Sequence, residues 1–220
     1  MTIVKICGLM RSADALAAAE AGAELLGLVF APSRRRVDET SAQTIVEGIR
    51  DRAGLGVVGV FVNEGPAEMN RLARVCGLDY VQLSGDEPDD IIAALDVPAV
   101  QVVHVSPDAD PSRLMERVAD TSAALVLFDV ARNGAYGGTG SAFDWSKIVH
   151  REPWGSRRIL VAGGLTAKNV GEAICTARPW GVDVSSGVER DGHKDHAEIR
   201  AFVRAAKEVS HGYEGKAGLT

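Results

Sequence analysis

Cysteine is scarce: only Cys7, Cys76 and Cys175 occur among 220 residues, an odd count at unrelated spacings. Neither a disulfide framework nor a CxxC metal site fits that pattern, and a reduced, cytoplasmic protein is expected. No apolar run approaches the roughly 20 residues of a membrane span. The start carries no charged region followed by an apolar core and a small-residue cleavage site, so no export signal is expected. A basic excess is missing too. The net charge of −6 argues against nucleic acid or an anionic membrane as a partner. It leaves room for a small phosphorylated ligand, because a few backbone amides and one arginine hold a phosphate against a negative background. No GxGxxG follows the first apolar run, and GGTG (137–140) lacks the Lys-Ser/Thr of a nucleotide-triphosphate loop.

What remains is abundant and regular. Hydrophobic residues make up 46% of the chain and charged residues 25%, enough for one large core. Short runs rich in Val, Ile and Leu recur at 2–7, 24–30, 55–62, 78–83, 98–103, 123–128, 157–162 and 181–185. They are almost continuously apolar, as parallel strands covered on both faces are. Amphipathic stretches separate them, near 12–22, 39–52, 65–76, 88–95, 110–120, 144–150, 166–177 and 195–207, with Ser12 and Thr166 as expected N-caps and Gly22 beyond a C-terminus. Eight even strand–helix units predict an α/β protein, a single (β/α)8 barrel over 1–209 with a polar, mobile tail at 210–220; a doubly wound open sheet is the weaker fit. The segment 106–112 reads as a loop.

A barrel places function where strands end. In TIVKICG the strand period puts Lys5 and Cys7 on the inner face, with Cys7 at the rim before Gly8. A buried thiol serving only as a hydrophobe is the bland alternative, and it is kept for Cys76 and Cys175. In ALVLFDV the same period aligns Leu125, Leu127 and Asp129, so that Cys7 and Asp129 make a thiol–carboxyl pair suited to acid–base work. In GVDVSSG it aligns Asp183 and Ser185. Because strands one and eight are neighbours, Lys5 and Asp183 are expected to pair, and a cation near Cys7 to favour its thiolate. VAGGL and SSGVE, after strands seven and eight, have the composition and position of a phosphate site. The run SRRRV (33–37) offers an arginine to an anionic substrate, and the glycine-rich stretch 131–145 reads as a cover over the site. His104, His150, His193, His196 and His211 do not combine with acids at successive strand ends, so no metal is expected, and His193 and His196 read as solvated.

These motifs carry a resemblance. KICGL (5–9), SRRRV (33–37), VGVFVN (58–63), QLSGDE (82–87), YGGTGSAFDW (136–145), VAGGL (161–165) and GVDVSSGVE (181–189) resemble the phosphoribosylanthranilate isomerase family of tryptophan biosynthesis, through residue 207. The resemblance implies an Amadori rearrangement with Cys7 as general base and Asp129 as general acid. It implies Arg35 at the substrate, with Arg34 and Arg36 as alternatives. It further implies phosphate held at Gly163, Gly164, Ser186 and Gly187, beside the inward-facing Asp183 and Ser185, with no cofactor and no protein partner. One departure stands out: the family usually reads QLHGDE, and this chain has Ser84 in place of the histidine. The rivals are the histidine-pathway isomerase, which performs the same rearrangement on a larger substrate, and a catalytically silent phosphate-binding barrel.

Overall fold

The computed structural model describes residues 1–106, 109–130 and 157–214. The expected cover at 131–145, its GGTG and the helix at 144–150 lie outside them. Eight parallel strands form one closed ring in chain order: β1 (Ile3–Cys7), β2 (Leu25–Val29), β3 (Gly56–Phe61), β4 (Tyr80–Leu83), β5 (Ala99–Val105), β6 (Leu125–Val130), β7 (Arg158–Ala162) and β8 (Gly181–Val184). β8 closes the ring on β1, with Lys5 directly opposite Asp183 in the register. Among the described residues six α-helices accompany them: α1 (Ser12–Ala21), α2 (Glu39–Glu47), α3 (Pro66–Cys76), α4 (Pro111–Asp120), α5 (Val170–Ala177) and α6 (His196–Glu214). After β8 come a 3-10 turn (Ser186–Val188) and a two-stranded hairpin, β9 (Glu189–Arg190) and β10 (His193–Lys194). None of the described helices is long and apolar enough to cross a membrane.

Strand alternation divides the apolar residues into two cores. Val4, Ile6, Val126, Phe128 and Val161 face outward and pack under the helices. Leu25, Val58, Val100, Val102, Leu125, Leu127, Leu160 and Ala162 fill the barrel. The inward residues of the last strand turn are therefore the floor and walls of the mouth.

The elements depart from the sequence expectation at several ends. Arg11, not Ser12, is the N-cap of α1, and the Ser12 hydroxyl donates instead to the Thr44 carbonyl. α5 begins at Val170 after a turn in which Asn169 Oδ1 accepts from the Thr166 amide, so Thr166 opens the turn and does not cap the helix. Residues Asp89–Ala94 form a 3-10 helix in the short span between Pro88 and Pro98. α6 runs to Glu214, past the expected end at 207 and into the segment read as tail, since no helix-stopping pair precedes Gly215. β5 extends through Val105, beyond the expected 103, and this extension alters the site.

Candidate active site

The mouth of the barrel encloses a cavity of about 490 Å³ that every one of the site residues expected from the sequence lines: Cys7, Arg35, Asp129, Gly163, Gly164, Asp183, Ser185, Ser186 and Gly187. Asp183, in its lining, pairs with the fully buried Lys5, Nζ to Oδ1 at 3.0 Å. Burial alone would lower the Lys5 pKa; Asp183 and Cys7 outweigh that and raise it, so the side chain is an ammonium. Cys7 is also buried, and the inner face of Gly27 makes room for it. A Cβ at residue 27 would lie 2.8 Å from Cys7 Sγ.

The charge balance on Cys7 corrects the sequence reading. Burial pushes the thiol up, Asp183 pushes the same way, and Lys5 and Lys194 pull down without cancelling them. The resting group is a thiol, because the desolvation of a sulfur enclosed on all sides exceeds the attraction of cations that are themselves paired with carboxylates. Asp129 is displaced upward as well, chiefly by burial in the cavity wall and then by Asp183, against His104 and Lys5. Its carboxyl therefore keeps a proton to higher pH than an ordinary aspartate.

Of the arginine run, Arg34 and Arg35 line the cavity, while Arg36 is exposed and lies outside it. Arg35 is half-buried and donates to Glu189 through Nε at 2.6 Å and Nη2 at 3.0 Å. Arg34 reaches the same carboxylate at 2.5 Å. Lys194, buried, donates to Glu189 at 2.9 Å and to the Ser185 carbonyl at 2.8 Å. Burial alone would raise Glu189; hydrogen bonds from Arg35 and Lys194 bring it down to about 2. Neither Glu189 nor Lys194 is evident as a site residue in the sequence. They meet Arg35 across more than 150 positions through a hairpin whose strands are two residues long.

The turns after β7 and β8 also line the cavity. Gly163 and Gly164 both have positive φ, 98° and 60°, which only glycine adopts freely. Gly187 is held by a close approach, since a Cβ there would overlap the Leu165 carbonyl oxygen. Glycine at both places lets the two turns touch.

The longer β5 corrects a second expectation. Following Val100 and Val102, His104 is an inward rim residue, and its register partner on β6 is Asp129. Nδ1 stands 4.0 Å from Asp129 Oδ2 and Nε2 lies 3.2 Å from the Ser84 carbonyl oxygen. A histidine and an acid do meet at successive strand ends. His196 is not simply solvated either: it accompanies the buried Asp14, Nε2 to Oδ1 at 2.9 Å. Among the described residues no group of three or more His, Cys, Asp or Glu is gathered as a metal site would require. Ser84 Oγ accepts from Gln82 Nε2 at 3.0 Å, and Gln82 Oε1 is the one buried side-chain oxygen or nitrogen among the described residues without a partner.

Comparison with known proteins gives the family. The family model for N-(5'-phosphoribosyl)anthranilate (PRA) isomerase matches residues 4–205. The chain belongs to that family. The N-(5'-phosphoribosyl)anthranilate isomerase of Roseiflexus castenholzii is 44% identical over 210 residues, covering 93% of this chain and 98% of its own. That of Myxococcus xanthus is 45% identical, covering 94% and 97%. The crystal structure of phosphoribosyl anthranilate isomerase from Thermotoga maritima superposes with a TM-score of 0.84 at 37% identity, over 94% of this chain and 100% of that one. A further isomerase structure, with reduced 1-(o-carboxyphenylamino)-1-deoxyribulose 5-phosphate bound, superposes with a TM-score of 0.79 at 35% identity, over the same shares. The match places the chain among the phosphoribosylanthranilate isomerases.

Proposed function

We propose that this chain rearranges N-(5'-phosphoribosyl)anthranilate to 1-(2-carboxyphenylamino)-1-deoxyribulose 5-phosphate in tryptophan synthesis, with Asp129 as general acid and Cys7 as general base. The observation that carries this reading is a buried thiol and a carboxyl whose pKa burial raises, both lining one cavity with Asp183 of the buried Lys5–Asp183 pair. The related isomerase holding a reduced deoxyribulose 5-phosphate supports a phosphorylated small molecule as the ligand. The turns at Gly163–Gly164 and Ser186–Gly187 are suited to its phosphate, with Arg35 close to the second of them, beside Ser185 and Glu189.

The chemistry follows from the two groups. Asp129 delivers its proton to the furanose ring oxygen; the C–O bond breaks and the substrate's own nitrogen becomes an iminium. The neighbouring C–H is thereby acidified, and the Cys7 thiolate removes that proton to leave an enolamine, which tautomerises to the ketone. The working state is Asp129 protonated and Cys7 ionised, although the thiol ordinarily titrates above the carboxyl. Between the two pKa values the fraction of such molecules is constant and set by their separation. Raising Asp129 enlarges it, and each unit by which Lys5 and Lys194 lower Cys7 adds about tenfold.

The test is the decay of phosphoribosylanthranilate fluorescence, the substrate being generated in place from anthranilate and phosphoribosyl pyrophosphate. Asp129→Asn and Cys7→Ser each reduce kcat by about 10²- to 10⁴-fold, the ordinary worth of a positioned acid or base. No decay above the spontaneous rate from folded wild-type protein would refute the assignment.

A further inference from the structure

The rearrangement leaves a debt of protons. After each turnover Asp129 is a carboxylate and Cys7 a thiol, the reverse of the state in which the next substrate must be met. Asp129 has to be recharged; its side chain is 42% exposed in the cavity wall, and among the described residues His104 is the histidine beside it.

His104 is built for that exchange. Its Nε2 lies 3.2 Å from the Ser84 carbonyl oxygen. A carbonyl oxygen can only accept, so Nε2 carries the hydrogen, and the nitrogen that gains and loses a proton is Nδ1. Nδ1 is the atom 4.0 Å from Asp129 Oδ2, a separation that a small side-chain rotation closes. The imidazole is 48% exposed, so it meets both water and the carboxyl. The Ser84 hydroxyl already accepts from Gln82, which leaves the main-chain carbonyl as the histidine's anchor.

We propose that His104 acts through Asp129 by returning a proton from solvent to its carboxylate between turnovers. In this step the Nδ1–H bond of the imidazolium breaks and an O–H bond forms on Asp129. The neutral ring takes a proton from water at Nδ1, and the proton that Cys7 collected leaves to solvent, so the cycle sums to zero. His104 is thus a positioning and relay residue that touches the acid and not the reacting carbon. The inference rests on Asp129 being the acid.

The charged groups around the pair come from several elements. Asp86 and Glu87 after β4 and Arg117 on α4 share with His104 an adjoining cavity of about 300 Å³. Lys5 and Asp183 act on Asp129 from inside the barrel.

His104→Ala and His104→Asn in the full chain, with Asp129→Asn beside them, test the proposal. Both histidine variants are expected to lower kcat about tenfold or more, with KM within about twofold. The loss grows with pH as solvent protons become scarce, and added imidazole restores part of the rate in His104→Ala. Asparagine can keep a hydrogen bond to Ser84 but cannot titrate, so wild-type turnover in His104→Asn would overturn the relay. A deficit equal at every pH and untouched by imidazole would overturn it too. If Asp129→Asn is inactive while His104→Ala runs at full rate, only the relay fails. If Asp129→Asn is fully active, the acid assignment fails and takes the relay with it.

Discussion

Lys5 is a full charge with no exposed surface, tolerable only because Asp183 stands opposite it in the β1–β8 register. Removing one partner from such a pair strands the other in a low-dielectric interior, which costs about 3–5 kcal/mol; replacing both with apolar residues of similar volume is often neutral. Lys5→Met should therefore destabilise the protein by that order. Lys5→Met with Asp183→Leu should recover most of the stability and none of the activity. Denaturant titration of the three proteins measures the first effect and the isomerase assay the second. A double variant no more stable than Lys5→Met would show that the pair contributes as separate charges. The same two residues act on Cys7 in opposite directions, on top of the larger effect of its burial.

The loops after β2 and β8 are fastened by one carboxylate. Glu189 accepts from Arg34, Arg35 and Lys194, and its pKa of about 2 lies below the ordinary glutamate value near 4.3. The ionised form therefore stabilises the fold at pH above about 4; that contribution shrinks as pH falls and is gone below about 2. Unfolding free energy followed from pH 5 to pH 2 should fall more steeply for wild type than for Glu189→Gln, and parallel curves would remove Glu189 as the fastener. Elements also show where a sequence can be read and where it cannot. Strand alternation alone directs Cys7, Asp129 and Asp183 inward, because a one-residue change of face would bury Val4, Phe128 or Val184 in the wrong core. His104 is missed because it interrupts the continuous apolar run, although Val103 and Val105 on either side of it are both buried in the outer core and carry the alternation through to the end of β5. Glu189 escapes this logic because its arginine partners stand in another loop, and loop-to-loop distance has no local pattern; Lys194 escapes it because its partners are Glu189 itself and the Ser185 carbonyl. The balance at Cys7 was beyond alternation too: the nearby cation is legible, but the depth of burial that overrides it is a property of the closed barrel.

Over the whole molecule, stability and chemistry are assembled in different places. α6 packs Ile199, Phe202, Val203 and Ala206 against the outside of the barrel, and Lys207 reaches the Thr2 carbonyl at 2.8 Å and the Glu24 carboxylate. Phe202 is completely buried there, away from the mouth. Phe202→Ala should cost about 3–5 kcal/mol, which for a chain of this size lowers Tm by roughly 6–20 °C. Its kcat well below that Tm should stay within about twofold of wild type, and a larger fall would mean that the outer shell governs the mouth. The closure of β8 on β1 carries a further meaning for the chain as it is made. Cys7 is synthesised long before Asp183, Ser185 and Gly187, so no nascent piece that stops short of β8 carries all of the proposed site residues. Until β8 emerges, β1 waits with an open edge, exposed to any other unpaired strand. Synthesis of β8 and the turn after it thus brings the site together and ends the chain's most aggregation-prone interval in a single event.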